Sequence, residues 1–328
     1  MKDATALSRE TPENASARAL AARMESGLIG HEALVERLLI ALLTGGHLLI
    51  EGAPGLAKTR SVRRLADSME ARFARIQCTP DLMPSDITGT QVFRADAGDM
   101  AFLPGPVFHE LLLVDEINRA PPKVQSALLE AMGEGQVTVG GTTRALPEPF
   151  MVIATQNPLE SEGTFPLPEA QLDRFLMHVI LDLPDEAQEL AILDLVESEL
   201  KQPPLAPTER LTASGLAAMK KAVAAVHLSL ALRQYIVALV MATRRDGEGI
   251  AVTDRIRHAV SPRGSLSLAA CVRARAFLHG RDYAIPEDVA ALAPDVLCHR
   301  LAPTWRALAA GETARSIFAE VLQKVAPL

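Results

Sequence analysis

The sequence predicts an α/β protein, a parallel sheet flanked by helices in its first part and an all-helical second part. Three observations carry this. Short runs rich in Leu, Ile and Val alternate with stretches whose apolar residues recur at helical spacing. The first run leads into a Gly-containing turn and then Lys-Thr at a helix start, the arrangement that opens a phosphate-binding strand–loop–helix unit. After Leu183-Pro184 the strand-like runs stop, and Ala-rich and Leu-rich helical segments continue to the end.

Taken in order, the expected strands are His47 to Ile50, Ala74 to Gln77, Leu111 to Val114, Phe150 to Ala154 and His178 to Leu181. Between them, Glu32 to Thr44, Thr59 to Met69, Lys123 to Met132 and Glu169 to Phe175 carry the helical period. Pro121 and Pro122 stand where a helix starts, because proline fits the first helical turn. The helical part is broken at Gln202-Pro203-Pro204, at Asp246-Gly247-Glu248-Gly249, at Gly280 and at Pro286. The composition shift places a domain boundary near residue 185, with a helical domain (186–328) beyond it.

A chain of 328 residues is long enough for two domains of about 150 residues each. Its composition, 48% hydrophobic and 22% charged, excludes wholesale disorder. The net charge of −7 gives no reason to expect a duplex-coating protein, which needs a basic face to displace counterions. The charge is uneven: residues 1–185 carry 16 Lys and Arg against 25 Asp and Glu, and the remainder carries 17 against 15. Cys78, Cys271 and Cys298 are widely spaced and include no C-x-x-C pair, so neither a disulfide framework nor a zinc site is indicated and a reducing cytoplasm is expected. Met1 to Ala22 lacks the continuous apolar stretch of a secretory signal, and no uncharged apolar run reaches the ~18 residues that span a bilayer.

The run Leu48 to Thr59 has the parts of a phosphate loop. Gly52 and Gly55 permit the tight backbone, Lys58 supplies charge for the phosphates, and Thr59 supplies a hydroxyl for Mg²⁺. Ala57 stands where the common pattern has glycine, and a Pro-Gly turn before an ordinary amphipathic helix has the same outline. Further on, Leu111 to Val114 runs into Asp115-Glu116. Acids at the C-terminal end of a parallel strand face the ligand crevice, where Asp115 serves the metal and Glu116 the attacking water. Solvated loop acids are the plainer reading of that pair taken alone. A third apolar strand ends at Asn157, a candidate for sensing the γ-phosphate or the water, although Asn before Pro158 also suits a turn.

On these three motifs the sequence resembles the MoxR-type AAA+ ATPases, from about Leu28 to Leu301. Gly55 to Thr59 matches that family's phosphate loop, Ala57 included, and Asp115-Glu116-Ile117-Asn118-Arg119-Ala120-Pro121-Pro122 is similar to its most distinctive run. The resemblance implies an N-terminal extension (1–27), an AAA+ P-loop nucleotide-binding core (28–185) with a five-stranded parallel sheet in the order 5-1-4-3-2, an all-α lid, and a homo-oligomeric ring, usually a hexamer, that binds ATP and Mg²⁺. Leu28-Ile29-Gly30-His31 is similar to the segment packed near adenine, with His31 where the family has glutamine. The nucleotide contacts it implies are Gly30, His31, Gly52, Ala53, Pro54, Gly55, Leu56, Ala57, Lys58, Thr59 and Arg60, with Thr59 and Asp115 toward the metal.

Arg174 matches the arginine finger that enters the neighbouring subunit's site, with Arg119 as the other candidate; an arginine paired with Asp173 or Glu169 is the competing reading. Arg263, in the first turn of a helix opened by Ser261-Pro262, matches the lid's sensor arginine, and Arg273, Arg275 and Arg281 are expected on a lid face or a subunit contact. Segments 86–106 and 136–144 read as hairpin insertions, plausible pore or substrate loops. The implied activity is Mg²⁺-dependent ATP hydrolysis coupled to remodelling or maturation of protein clients, together with partners that carry von Willebrand factor A domains. Other readings keep the motor but give it nucleic acid, or metal insertion as in magnesium chelatase; another is a nucleotide-gated interaction module with negligible turnover.

Overall fold

Five short runs form one parallel sheet: the three central ones are apolar on both faces and buried, while the edge runs, Phe73–Gln77 and Met177–Ile180, are only partly buried. The computed structural model describes residues 11–95, 98–158, 163–201, 209–246 and 250–327. The chain divides into two compact units, Arg23–Ala213 and Met1–Ala22 with Ser214–Leu328. Helix α1 (Pro12–Glu25) spans the first of these boundaries.

In the unit Arg23–Ala213 the order is α2 (Glu32–Thr44), β1 (Leu48–Glu51), α3 (Lys58–Asp67), β2 (Phe73–Gln77), α4 (Pro84–Thr88), β3 (Gly89–Arg94), β4 (Asp99–Pro104), β5 (Leu111–Asp115), α5 (Pro122–Glu134), β6 (Gln136–Val139), β7 (Thr142–Ala145), β8 (Met151–Gln156), α6 (Glu169–Leu172), β9 (Met177–Ile180) and α7 (Glu186–Lys201). The sheet order is β2-β5-β8-β1-β9, all pairs parallel. Counting only these five strands, this is the expected 5-1-4-3-2 order read from the β9 edge. The central strands β5, β8 and β1 are buried on both faces, with Leu112, Val152 and Leu49 fully inside. Their C-terminal ends therefore stand side by side along one edge of the sheet, where β5 ends in Asp115 and β8 in Gln156.

His47 pins the opposite end. Val152 N donates to its Nδ1 at 3.1 Å, and its Nε2 lies 3.2 Å from the Met132 carbonyl, so the neutral tautomer with a proton on Nε2 satisfies both. Burial pushes its pKa down to about 4, against a smaller upward pull from the Met132 hydrogen bond.

Both expected hairpins form. The β6–β7 turn is Gly140-Gly141, with φ of 59° and 76°, the left-handed pair that a two-residue turn demands. In the other, Gly89 has φ 89°, and a Cβ there would lie 2.3 Å from the Leu103 carbonyl oxygen. The hairpins touch through Arg144, whose guanidinium lies 4.0 Å from the Phe102 ring centroid.

The compact units differ from the division expected from sequence. Residues 186–201 and 209–213 belong with the sheet because Glu199 of α7 accepts from Arg60 and Arg64 of α3, and Leu211 exchanges backbone hydrogen bonds with Ser68 and Glu70 at 2.9 and 3.0 Å.

The second unit comprises α8 (Ala213–Ala225), α9 (Leu230–Ala242), β10 (Ile256–His258), α10 (Pro262–Leu278), α11 (Pro286–Leu297), β11 (Ala302–Pro303), α12 (Trp305–Ala309) and α13 (Ala314–Lys324). It is helical around buried Leu239, Leu268, Leu292 and Phe318, with one small antiparallel ribbon, β10–β11, that the sequence reading did not anticipate. Arg275 and Arg281 both bond the fully buried Asp288 at 2.7–2.8 Å, and Arg273 donates to the Val226 carbonyl at 3.2 Å. These three arginines thus tie their own unit together, where the sequence suggested a lid face or subunit contact. The breaks expected at Gln202-Pro203-Pro204 and at Gly247-Glu248-Gly249 lie outside the described residues.

Candidate nucleotide site

The loop between β1 and α3 folds as its glycines require. Gly55 has φ 87°, and a Cβ on Gly52 would press to 3.0 Å from Leu56 Cδ1 and 3.1 Å from Leu181 Cβ. Ala57 sits at φ 50°, a left-handed conformation that costs an L-residue about 1 kcal/mol. The turn aims the first N–H groups of α3 back toward the sheet edge, and helix N-termini favour anions.

Lys58 Nζ donates to the Gly52 carbonyl at 2.6 Å and reaches the Gln156 carbonyl at 3.5 Å, so its ammonium lies across the loop mouth. Burial lowers its pKa, and the charges of Asp115, Glu116 and Glu51 pull the other way.

Thr59 Oγ1 lies 3.4 Å from Asp115 Oδ2, joining the start of α3 to the end of β5. A hydroxyl and a carboxylate are hard oxygen donors of the kind Mg²⁺ takes alongside waters and phosphates. Among the described residues no group of three or more His, Cys, Asp or Glu forms a metal cage, so the residues fit an ion held largely by a nucleotide's own oxygens.

Thr155, fully buried on β8, donates to Asp115 Oδ1 at 2.5 Å and accepts from Glu116 N at 3.0 Å, which fixes both acids against β8. Glu116 has φ 56°, a second strained non-glycine backbone beside the phosphate loop, and its carboxylate is only partly buried. Its Oε2 accepts from Gln77 Nε2 at 3.1 Å and from Arg119 Nη1 at 3.2 Å.

Asn157 follows β8 and is buried, and Asn118 Nδ2 lies 3.4 Å from its carbonyl oxygen. Gln125 of α5 donates to the carbonyls of Ile117 and Phe165 at 3.2 and 3.0 Å, holding the loop after the acids.

A cleft of about 250 Å³ adjoins the loop, lined by Gly27 to Ile29, His31, Pro54 to Ala57, Arg60, and Leu183, Ile192, Leu195 and Val196 near and along α7. It is mostly apolar with a few polar groups, the chemistry of a base-binding pocket. His31 is buried, and that burial lowers its pKa against the pull of Glu32. Gly30 has φ 72° and packs against Gln188. Arg60 faces this wall, donating to the Gly27 carbonyl at 2.9 Å and to Glu199.

The structure thus brings together Lys58, Thr59, Asp115 and Glu116, with Gly30, His31, Ala53 and Arg60 on the loop and cleft side. Arg174 lies apart from them, half-buried, with Nη1 donating to the Leu129 carbonyl of α5 at 2.8 Å and packing over Gly133. Arg263 is exposed in the first turn of α10, in the other compact unit.

Sequence reasoning missed Arg75, Gln77 and Thr155. The sequence signal was partial: 75 and 77 fall on one face of β2, but only the register pairing Gln77 with Asp115 sets both side chains beside the acids.

Residues 47–177 match the family described as the ATPase family associated with various cellular activities (AAA), and residues 249–321 match the AAA lid domain. The chain is 43% identical over 302 residues to the chaperone MoxR1 of Mycobacterium tuberculosis, covering 91% of this chain and 79% of the relative. It is 32% identical to the protein MoxR of Methylorubrum extorquens, covering 87% and 88%. A solved crystal structure from Cytophaga hutchinsonii superposes with a TM-score of 0.88 at 41% identity, covering 96% of each chain. Among the described residues no helix is long and apolar enough to cross a membrane.

Proposed function

The chain belongs to the MoxR family of AAA+ ATPases, and we propose that it hydrolyses ATP with Mg²⁺ to drive a chaperone-like remodelling of protein clients. The observation that carries this reading is the convergence of Lys58, Thr59 and the Asp115-Glu116 pair at one sheet edge, beside an apolar cleft.

In this reading the cleft takes the base, and the amides of residues 52–58 take the phosphates. Lys58 exchanges the Gly52 carbonyl for phosphate oxygens; its lowered pKa reflects burial, and the neighbouring carboxylates favour the charged form. When bound, Mg²⁺ neutralises charge on the β- and γ-phosphates. Thr59 and Asp115 would hold it, directly or through water. Glu116 orients a water toward the γ-phosphorus and accepts its proton as the new P–O bond forms and the bridging bond to ADP breaks. Gln77 and Arg119 hold Glu116 Oε2, leaving Oε1 for the water.

Asn157 reports the γ-phosphate, and Arg263 closes from the helical unit. For the trans arginine we favour Arg174, since Arg119 is held in an ion pair with Glu116 of its own chain, whereas Arg174 donates there to a neutral carbonyl, that of Leu129. That role requires a homo-oligomeric ring, and the family pattern makes it a hexamer. Client engagement falls to the two hairpins, with partners bearing von Willebrand factor A domains among the candidates. A cytoplasmic setting suits three buried cysteines outside any disulfide, two of which, Cys78 and Cys298, burial pushes up to about 12.

The test is Lys58→Ala. It should lose nucleotide binding by at least tenfold and phosphate release with it, with the fold intact by circular dichroism. Unchanged binding would remove the phosphate role of the loop.

A further inference from the structure

The metal-side carboxylate is already in use. Arg75, on the edge strand β2 and 48% exposed, donates to Asp115 Oδ2 twice, from Nη2 at 2.6 Å and from Nε at 3.1 Å. The other carboxylate oxygen accepts the Thr155 hydroxyl at 2.5 Å. An ionised carboxylate offers about four lone-pair directions, two on each oxygen. Oδ2 accepts both Arg75 groups and, at a longer 3.4 Å, the Thr59 hydroxyl, so both of its lone-pair directions are taken. A metal ion bound there, or a metal-bound water donating to it, must displace these donors, and the two shorter contacts are the arginine's.

Charge acts in the same direction. A guanidinium cannot shed its proton near neutral pH, so a divalent cation reaching this oxygen meets a fixed positive charge a few ångströms away. Nothing in the phosphate-loop pattern calls for an arginine here. Position 75 lies two residues before the end of β2, and it reaches Asp115 because Arg75 and Gln77 lie on the sheet face that also carries Asp115, the register partner of Gln77 on β5.

From this geometry we infer that Arg75 is a positioning residue that competes with the metal for Asp115, holding the carboxylate until Mg²⁺ arrives on a nucleotide and then yielding Oδ2. The metal's apparent affinity is set by this exchange, and free Mg²⁺ alone is disfavoured. The inference rests on the ATPase reading above.

The experiment measures binding of a fluorescent ADP analogue to the full chain, first in EDTA and then over a Mg²⁺ titration, for wild type, Arg75→Gln and Arg75→Lys. Arg75→Gln should reach half-maximal Mg²⁺ enhancement at about tenfold lower Mg²⁺, while its affinity in EDTA changes less than about threefold. Arg75→Lys, which keeps the charge but loses the two-pronged contact, should fall between. An exposed edge-strand position makes both variants foldable, and the EDTA affinity itself reports an intact site.

A half-point in Arg75→Gln that is unchanged or higher than wild type overturns the competition. So does an equal loss of affinity with and without Mg²⁺, which would make Arg75 a nucleotide contact. If the wild type binds no nucleotide, the ATPase reading fails and this inference falls with it. If the wild type binds with Mg²⁺ enhancement and Arg75→Gln matches it, only the inference fails.

Discussion

Acid should loosen the sheet through His47, and the size of the effect follows from its surroundings. The imidazole is buried, accepts from Val152 N at Nδ1 and faces the Met132 carbonyl with Nε2. Protonating Nδ1 would set two donors against each other. The folded-state pKa is about 4 against an ordinary value of 6.5, so the unfolded chain binds the proton first as pH falls. The contribution is therefore whole above pH 6.5, declines from there to about 4, and is exhausted below. Linkage over that window gives a loss of about 2 kcal/mol by pH 5 and about 3 kcal/mol by pH 4.

Because the chain has two compact units, a whole-molecule melt mixes them, and native-state hydrogen exchange at the Val152 and Ile153 amides is the better reading. Corrected for intrinsic exchange, protection there should fall by that amount in the wild type. In His47→Gln protection should start lower and stay nearly flat between pH 6.5 and 4.5. Equal pH slopes in the two proteins, or an assigned His47 ring titrating near 6.5, would refute the reasoning.

Asp288→Ala strands two arginines around a fully buried position, and should cost the helical unit about 3–5 kcal/mol, read by denaturant unfolding through Trp305 fluorescence. Ala57→Gly relieves a left-handed backbone but frees the unfolded chain, so stability should move by less than about 1 kcal/mol with nucleotide binding kept. Ala57→Val, β-branched at φ 50°, should instead weaken nucleotide binding at least tenfold in the same fluorescence titration.

Much of the core was readable from local chemistry. Leu48 to Thr59 declares a strand, a turn and a helix start within a dozen residues, and Gly52 and Gly55 stand where the backbone later needs them. The same holds for Gly140-Gly141 and for Pro122, which opens α5. What escaped depends on partners far apart in sequence. Arg75 looks like a polar residue on an edge strand until the β2–β5 register sets it beside Asp115. Arg275 and Arg281 look like surface charge until Asp288 is buried between them. Arg174 carries a family expectation, while its own chain shows a side chain bonded to the Leu129 carbonyl of α5. Segment 186–213 read as the start of the helical domain because composition changes at Pro184, whereas the allegiance of 186–201 and 209–213 is set by Glu199 and Leu211 reaching back to α3.

As the proposed base of an ATP-hydrolysing site, Glu116 is open to a variant that separates binding from chemistry. Glu116→Gln keeps the size of the side chain, and its Oε1 and Nε2 can still bond neighbours, but it cannot take a proton. Steady-state phosphate release should fall at least a hundredfold at matched nucleotide occupancy, while ATP affinity stays within about threefold of the wild type. Phosphate release near the wild-type rate in Glu116→Gln would contradict the account.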